Sequence, residues 1–227
     1  MHLASKLALV VVLLGFAPAS GSTALIGPQP APNVTNLSFT ILRDGTPFGT
    51  HRTIIRRDGG GLVVETAITA KLDLAFLSLY RFRHESREEW RDGRLVSLEA
   101  FTDDDGQTSR VSALATPEGL EVNGPNGRFI APAETVPTTF WHAAFLKAPS
   151  LLDVQEGRLV KVAVRSGGAD IVAAAHPGPQ RRHFSLSGDL DMDLWFDADG
   201  SLAECRFFAR GYTITYARDR SGLADAR

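Results

Sequence analysis

Cysteine is nearly missing from this chain: Cys205 is alone among 227 residues. No internal disulfide can form, so in any compartment the fold has to be held by its core. Lysine is scarce as well, with four (Lys6, Lys71, Lys147 and Lys161) among 24 basic residues, and the formal net charge is −2. A chain without a basic field is not built for charge-driven nucleic-acid binding. Beyond residue 19 no apolar run approaches the roughly 20 residues needed to cross a bilayer. There is no Gly-x-Ser-x-Gly elbow for a serine nucleophile. Gly59-Gly60-Gly61 lacks the Lys-Ser/Thr and the following helix of a phosphate cradle, so it reads as a turn. What remains is an ordinary globular mixture, 44% apolar and 22% charged, of the kind that builds one domain.

The first nineteen residues read as a cleaved secretory signal. Lys6 precedes an apolar run from Leu7 to Ala17, about 11 residues and too short to span, and Ala17-Pro18-Ala19 offers the small-residue pattern of a cleavage site. The expected location is periplasmic or secreted, with no transmembrane span after cleavage. Residues 20–35, rich in Pro and Gly, are expected to form an irregular leader, residues 36–218 a single β-rich domain, and residues 219–227 a disordered tail.

The domain has the rhythm of antiparallel hairpins. Turn signals recur at Asp44-Gly45, Asp58 to Gly61, Asp92-Gly93, Asp103 to Gly106, Asn123 to Gly127 and Asp199-Gly200, with alternating segments between them. The alternation is sharpest from Phe76 to Trp90. Phe76, Ser78, Tyr80, Phe82, His84, Ser86, Glu88 and Trp90 share one face, and Arg81, Arg83, Glu85, Arg87 and Glu89 the other. One side is expected to cover a core or cavity and the other to meet water. Leu62, Val64, Thr66, Ile68, Ala70 and Leu72 keep the same phase, as one long bent strand or as two strands joined near Asp73. Arg81, Arg83 and Arg87 read as a solvated outer face, their charge largely cancelled by Glu85, Glu88 and Glu89.

One stretch departs from the rhythm. Pro137 to Pro149 offers Thr as an N-cap, Pro as a stop, and Trp141 and Phe145 four residues apart, which predicts a short, largely apolar helix. The expected fold is therefore mostly β: a curved antiparallel sheet wrapped around one short α-helix.

Several motifs resemble those of an uncharacterised secreted bacterial family. They are Asp44-Gly45-Thr46-Pro47-Phe48-Gly49, Tyr80 to His84 with Glu89 to Leu95, Pro137-Thr138-Thr139-Phe140-Trp141, and Asp193 to Leu202 with Tyr212 to Tyr216. The family is the domain of unknown function 6134, which is similar to the unknown family numbered 3108. The resemblance runs over about residues 36–218 in the same motif order. It implies a secreted β-rich fold of the half-open barrel kind seen in periplasmic lipoprotein carriers, and it implies no activity.

Chemical motifs are sparse. Aligning Gly106 or Gly200 to the sixth position of a calcium loop puts Phe101 and Ser112, or Trp195 and Arg206, at positions 1 and 12, so neither fits. The histidines of the mature chain, His51, His84, His142, His176 and His183, form no i, i+4 pair and no Cys cluster. No metal or cofactor is expected. Cys205 falls in phase with Ala203, Phe207 and Ala209, as an inert buried thiol does. The candidate ligand-binding residues are Tyr80, Phe82, His84, Trp90, Phe140, Trp141, His142 and Phe145, around a cleft between sheet and helix. The leading reading is a noncatalytic periplasmic protein that holds a hydrophobic or amphiphilic ligand. The alternatives are a scaffold or assembly factor for a periplasmic protein partner, and an enzyme using His142 as acid or base.

Overall fold

The computed structural model describes residues 33–74, 77–148, 150–167 and 181–219. The expected signal segment, most of the expected leader, Phe76, His176 and the residues beyond Asp219 lie outside them.

The alternating segments become long strands. β1 (Asn33–Arg43), β2 (Thr46–Asp58), β3 (Gly61–Leu74), β4 (Leu77–Arg91), β5 (Arg94–Asp104), β6 (Gln107–Thr116), β7 (Gly119–Gly124) and β8 (Gly127–Ala131) follow one another as an antiparallel meander. After an inserted segment come β12 (Val162–Ser166), β13 (Arg182–Gly188), β14 (Met192–Phe196), β15 (Leu202–Ala209) and β16 (Tyr212–Arg218). β16 pairs with β1, so the two meanders join into a 13-stranded sheet running from β12 through β16 and β1 to β8. The turns are tight. Asp44-Gly45, Asp92-Gly93 and Asp105-Gly106 have positive φ at both residues, the geometry that matches the right-handed twist of a hairpin.

The sheet is rolled. Arg210, between β15 and β16, reaches Asp104 at the end of β5 with 2.6 Å between Nη2 and Oδ2. β16 and β5 lie five steps apart in the sheet order, about 24 Å if flat at ~4.8 Å per strand. Among the described residues the roll does not close, since β8 and β12 are the terminal strands of the order. The curved antiparallel sheet expected from the pattern is therefore present, rolled and unclosed among the described residues.

Its filling is different from the expected one. Among the described residues there is no α-helix. The inserted segment forms a small sheet of β9 (Val136–Pro137), β10 (Leu151–Asp153) and β11 (Arg158–Val160), plus a five-residue 3-10 turn, Ala143–Lys147. Leu151, Leu152, Val154, Val160 and Phe145 pack into the same core as Leu37, Val64, Leu98, Val122, Leu194 and Phe196 of the large sheet. The helix fails because the backbone of this stretch is bonded outward. Thr138 N donates to Leu152 O, Ala143 N to Gly200 O and Leu202 N to Trp141 O, while Phe140 takes φ 49. The residues left before Pro149 are too few to sustain a helix alone. Thr138 and Thr139 do not cap it; their hydroxyls donate to other groups or accept from them, Thr138 from Val154 N and Thr139 to Glu88.

One boundary moves and one open alternative is decided. β1 begins at Asn33, inside the expected leader, because β2 is long enough to pair Asn33 with Arg57 and Thr35 with Ile55. Residues 61–91 are two strands, β3 and β4, with Leu74 opposite Leu77.

Gly49 marks a close strand approach. A Cβ there would lie 2.4 Å from Thr69 O and 2.9 Å from Ala70 Cα, both backbone atoms that cannot step aside. Gly49→Ala is expected to destabilise the domain by about 1–3 kcal/mol, read as a lower urea midpoint at unchanged m-value.

Candidate functional site

At one end of the rolled sheet the strand ends leave a cavity of about 450 Å³. Its wall is built by alternation: Ile41 from β1, Ala70 and Leu72 from β3, Tyr80 and Phe82 from β4, Phe207 from β15, and Ile214 and Tyr216 from β16. Phe48 and Leu79 stand in the same lining, and the rim adds Arg43, Asp104, Asp105, Arg210 and Tyr212. Among the described residues, two-residue turns at Asp44-Gly45, Asp105-Gly106 and Arg210-Gly211 bound this end. Burial first, and then the Asp104 carboxylate, push the Tyr80 phenol up to about 12, so it stays a neutral donor at physiological pH.

Deeper in, Gln155, Phe207 and Tyr216 are shared with a second cavity of about 140 Å³. Its lining holds His51, Thr66, His84 and Thr139 and, among the described residues, no charged residue. The register places His51 of β2, Ile68 of β3, His84 of β4 and Thr102 of β5 in one row across the strands. His51 Nε2 is 3.0 Å from the Thr53 hydroxyl, which lies 3.1 Å from that of Thr66, and His84 Nδ1 is 2.9 Å from Thr102 Oγ1. His51 Nδ1 has no hydrogen-bond partner among the described residues. Burial, and then His84, lower the His51 imidazole to about 4; burial likewise takes His84 to about 4 against the pull of Glu85. Both rings are therefore neutral near pH 7. Burial pushes the Cys205 thiol up to about 12 and raises the Tyr216 phenol; neither supplies an activated nucleophile. Among the described residues no group of three or more His, Cys, Asp and Glu side chains is placed to hold a metal ion.

The eight residues singled out by sequence do not form one site. Tyr80 and Phe82 line the mouth, and His84 and Phe140 line the inner cavity. Trp90 and Trp141 meet edge to face at 6.1 Å, but around a carboxylate and not a cleft. Phe145 is 2% exposed and packs on Phe140 and Phe196 at 4.8 and 5.9 Å, so it belongs to the core. His142 lies outside both cavities: it is exposed, bridges to Ser201, and has its imidazole lowered by partial burial while Asp199 pulls the other way. The expected cleft between sheet and helix is thus replaced by a cavity at the sheet's end, because the inserted segment fills the middle of the roll.

Glu88 falls by phase on the inward face, yet the sequence reading also counts it among the charges that offset Arg81, Arg83 and Arg87. It is fully buried, not part of a solvated face, and accepts hydrogen bonds from Trp90 Nε1 at 2.7 Å, Thr139 Oγ1 at 2.7 Å and Trp141 Nε1 at 3.3 Å. Its phase with His84, Ser86 and Trp90 was the available signal; the neighbouring charges Arg87 and Glu89 hid it. Asp104 and Arg210, at the rim, gave no comparable signal, since a sequence does not show that the sheet rolls them together.

Three comparisons bear on this architecture. Residues 39–219 match the domain of unknown function DUF6134. A search of curated proteins gives no match. Among solved structures, the chain is similar to a β-barrel-like protein of the domain of unknown function DUF1849 from Brucella abortus, with a TM-score of 0.54, 13% identity, and 83% of this chain and 95% of that one covered. At that identity the likeness concerns the fold alone.

Proposed function

The chain belongs to the DUF6134 family, and we propose that it binds, without transforming it, a hydrophobic or amphiphilic ligand in the cavity at the open end of its rolled sheet. The observation that carries this reading is an opening of about 450 Å³ walled by Ile41, Leu72, Phe82, Ile214 and Tyr216. Ligand sites are typically ~300–1,000 Å³, mostly apolar, with a few polar groups that set orientation. Burying an alkyl chain yields about 0.8 kcal/mol per CH₂, so a chain of modest length overcomes the ordering cost of binding. The reading goes with an exported chain, its signal ending near Ala19.

The neutral apolar fluorophore N-phenyl-1-naphthylamine tests it. Saturable binding at micromolar concentration is expected, with Leu79→Asp weakening it about tenfold, the equivalent of ~1.4 kcal/mol. Leu79 is 46% exposed, so the urea midpoint should hold. Binding that never saturates, or equal affinity in the variant, would count against the cavity. A second reading, capture of a protein partner by strand addition, is favoured by the two terminal strands, where Ile130 of β8 and Val164 of β12 are exposed.

A further inference from the structure

The mouth holds two guanidinium groups, and they are not equivalent. Arg210 occupies the first position of the β15–β16 turn at φ 51, a left-handed position that the Asp44-Gly45, Asp92-Gly93 and Asp105-Gly106 turns fill with an Asp. That left-handed conformation suits short polar residues and offers nothing to an Arg, whose side chain must account for its presence. It spans the mouth, with Nη2 2.6 Å from Asp104 Oδ2 and its guanidinium carbon 4.9 Å from the Tyr80 ring centre. Tyr80 and Asp104, an aromatic face beside a carboxylate, would suit a cation, and the chain's own Arg210 fills that place. Asp105 is turned toward the backbone, its carboxylate accepting from Arg81 N at 3.4 Å. Arg43 is different. Its guanidinium carbon stands 4.5 Å from the Tyr212 ring centre, and among the described residues it has no carboxylate at ion-pair distance.

Resting on the ligand-binding reading above, we infer that the occupant is an anionic amphiphile, its chain inward against Phe82 and Tyr216 and its acid head outward on Arg43. The Arg43 guanidinium lies over the Tyr212 ring, and its forked N–H donors suit the two oxygens of a carboxylate or phosphate. Among the described residues no carboxylate neutralises its charge, whereas an incoming cation would have to displace Arg210 from Asp104.

The experiment uses the whole protein with N-phenyl-1-naphthylamine bound, displaced by dodecanoate, dodecyl phosphate, dodecanol and dodecyltrimethylammonium, each below its micellar concentration. Both anions are expected to displace the probe at concentrations about tenfold or more below the alcohol and the cation, with the advantage shrinking as salt rises toward about 0.5 M. The more potent anion distinguishes carboxylate from phosphate as the head. Arg43→Gln should erase the advantage while probe and dodecanol affinities hold, and Arg43→Lys should keep part of it. If Arg43→Gln fails to fold, the salt dependence of the native protein decides. Equal potency of all four heads, or preference for the cation, with the probe still binding, overturns the head assignment and leaves the cavity reading intact. Absence of saturable probe binding overturns both.

Discussion

Between pH 7 and pH 4 the domain is expected to lose about 6 kcal/mol of stability through His51 and His84 alone, at ~1.36 kcal/mol per unit of pKa difference. Each imidazole falls from an ordinary 6.5 to about 4 in the fold, mainly through burial. Above pH 6.5 neither folded nor unfolded chain holds the proton, and this part of the stability is fully present. As pH falls toward 4 the unfolded chain takes up protons that the buried rings refuse, so unfolding is favoured progressively; below about 4 both states are protonated and the loss levels off. Glu88 acts in the opposite sense, because a carboxyl raised by burial gains stability on acidification, so the histidine contribution has to be isolated by difference. His51→Gln and His84→Gln keep a polar group against Thr53 and Thr102 but do not titrate. Urea midpoints measured from pH 7 to 4 should show each variant removing about half of the histidine-dependent slope. A double variant with the native pH profile would show that the two rings are already protonated, or hydrated, in the fold.

That interior row shows how much of the molecule is legible before folding. The phase of β4 is written plainly in residues 76–90, and it correctly sends His84 inward and Arg83 outward. The same phase also sends Glu88 inward, but the charge of a carboxylate weighs against that conclusion until its acceptor role is known. Trp90 lies two residues away on the same strand, whereas Thr139 and Trp141 are more than fifty residues distant in sequence, a separation that no local pattern reports. The helix expected at Pro137–Pro149 fails for a related reason. Trp141 and Phe145 have helical spacing, yet one ring leans on Trp90 and the other enters the core against Phe196, and the backbone donors find partners in β10 and in the Gly200 turn. Tertiary bonds override a weak local preference in so short a segment. The mouth is legible only in part: the aromatic residues of its wall follow from alternation, but Arg43, Asp104 and Arg210 meet there because 13 strands roll up.

Replacing Glu88 with alanine is expected to cost about 3–5 kcal/mol, because it removes the single acceptor that three buried or half-buried donors share. No cation lies among its hydrogen-bond partners; the carboxylate is held by two indole N–H groups and one hydroxyl. Burial raises its pKa, and Thr139, Trp90 and Trp141 each draw it back down, so desolvation and hydrogen bonding oppose one another at this atom pair. Truncation ends the desolvation cost but leaves Trp90 Nε1, Thr139 Oγ1 and Trp141 Nε1 without an acceptor, and adds the void of the missing side chain. Glu88→Gln keeps one carbonyl oxygen while turning amide hydrogens toward the other donors, and should lie between the native protein and the alanine variant. Because Thr139 and Trp141 tie the inserted segment to β4, the loss should be local as well as global. In Glu88→Ala, the emission of Trp90 and Trp141 should shift to the red before the main urea transition, and the amide of Thr138, bonded to Leu152 O, should exchange faster with solvent. An alanine variant within about 1 kcal/mol of native, well under the expected cost of orphaned buried donors, would mean that water takes over as acceptor, and that Glu88 is not what holds the insert inside the roll.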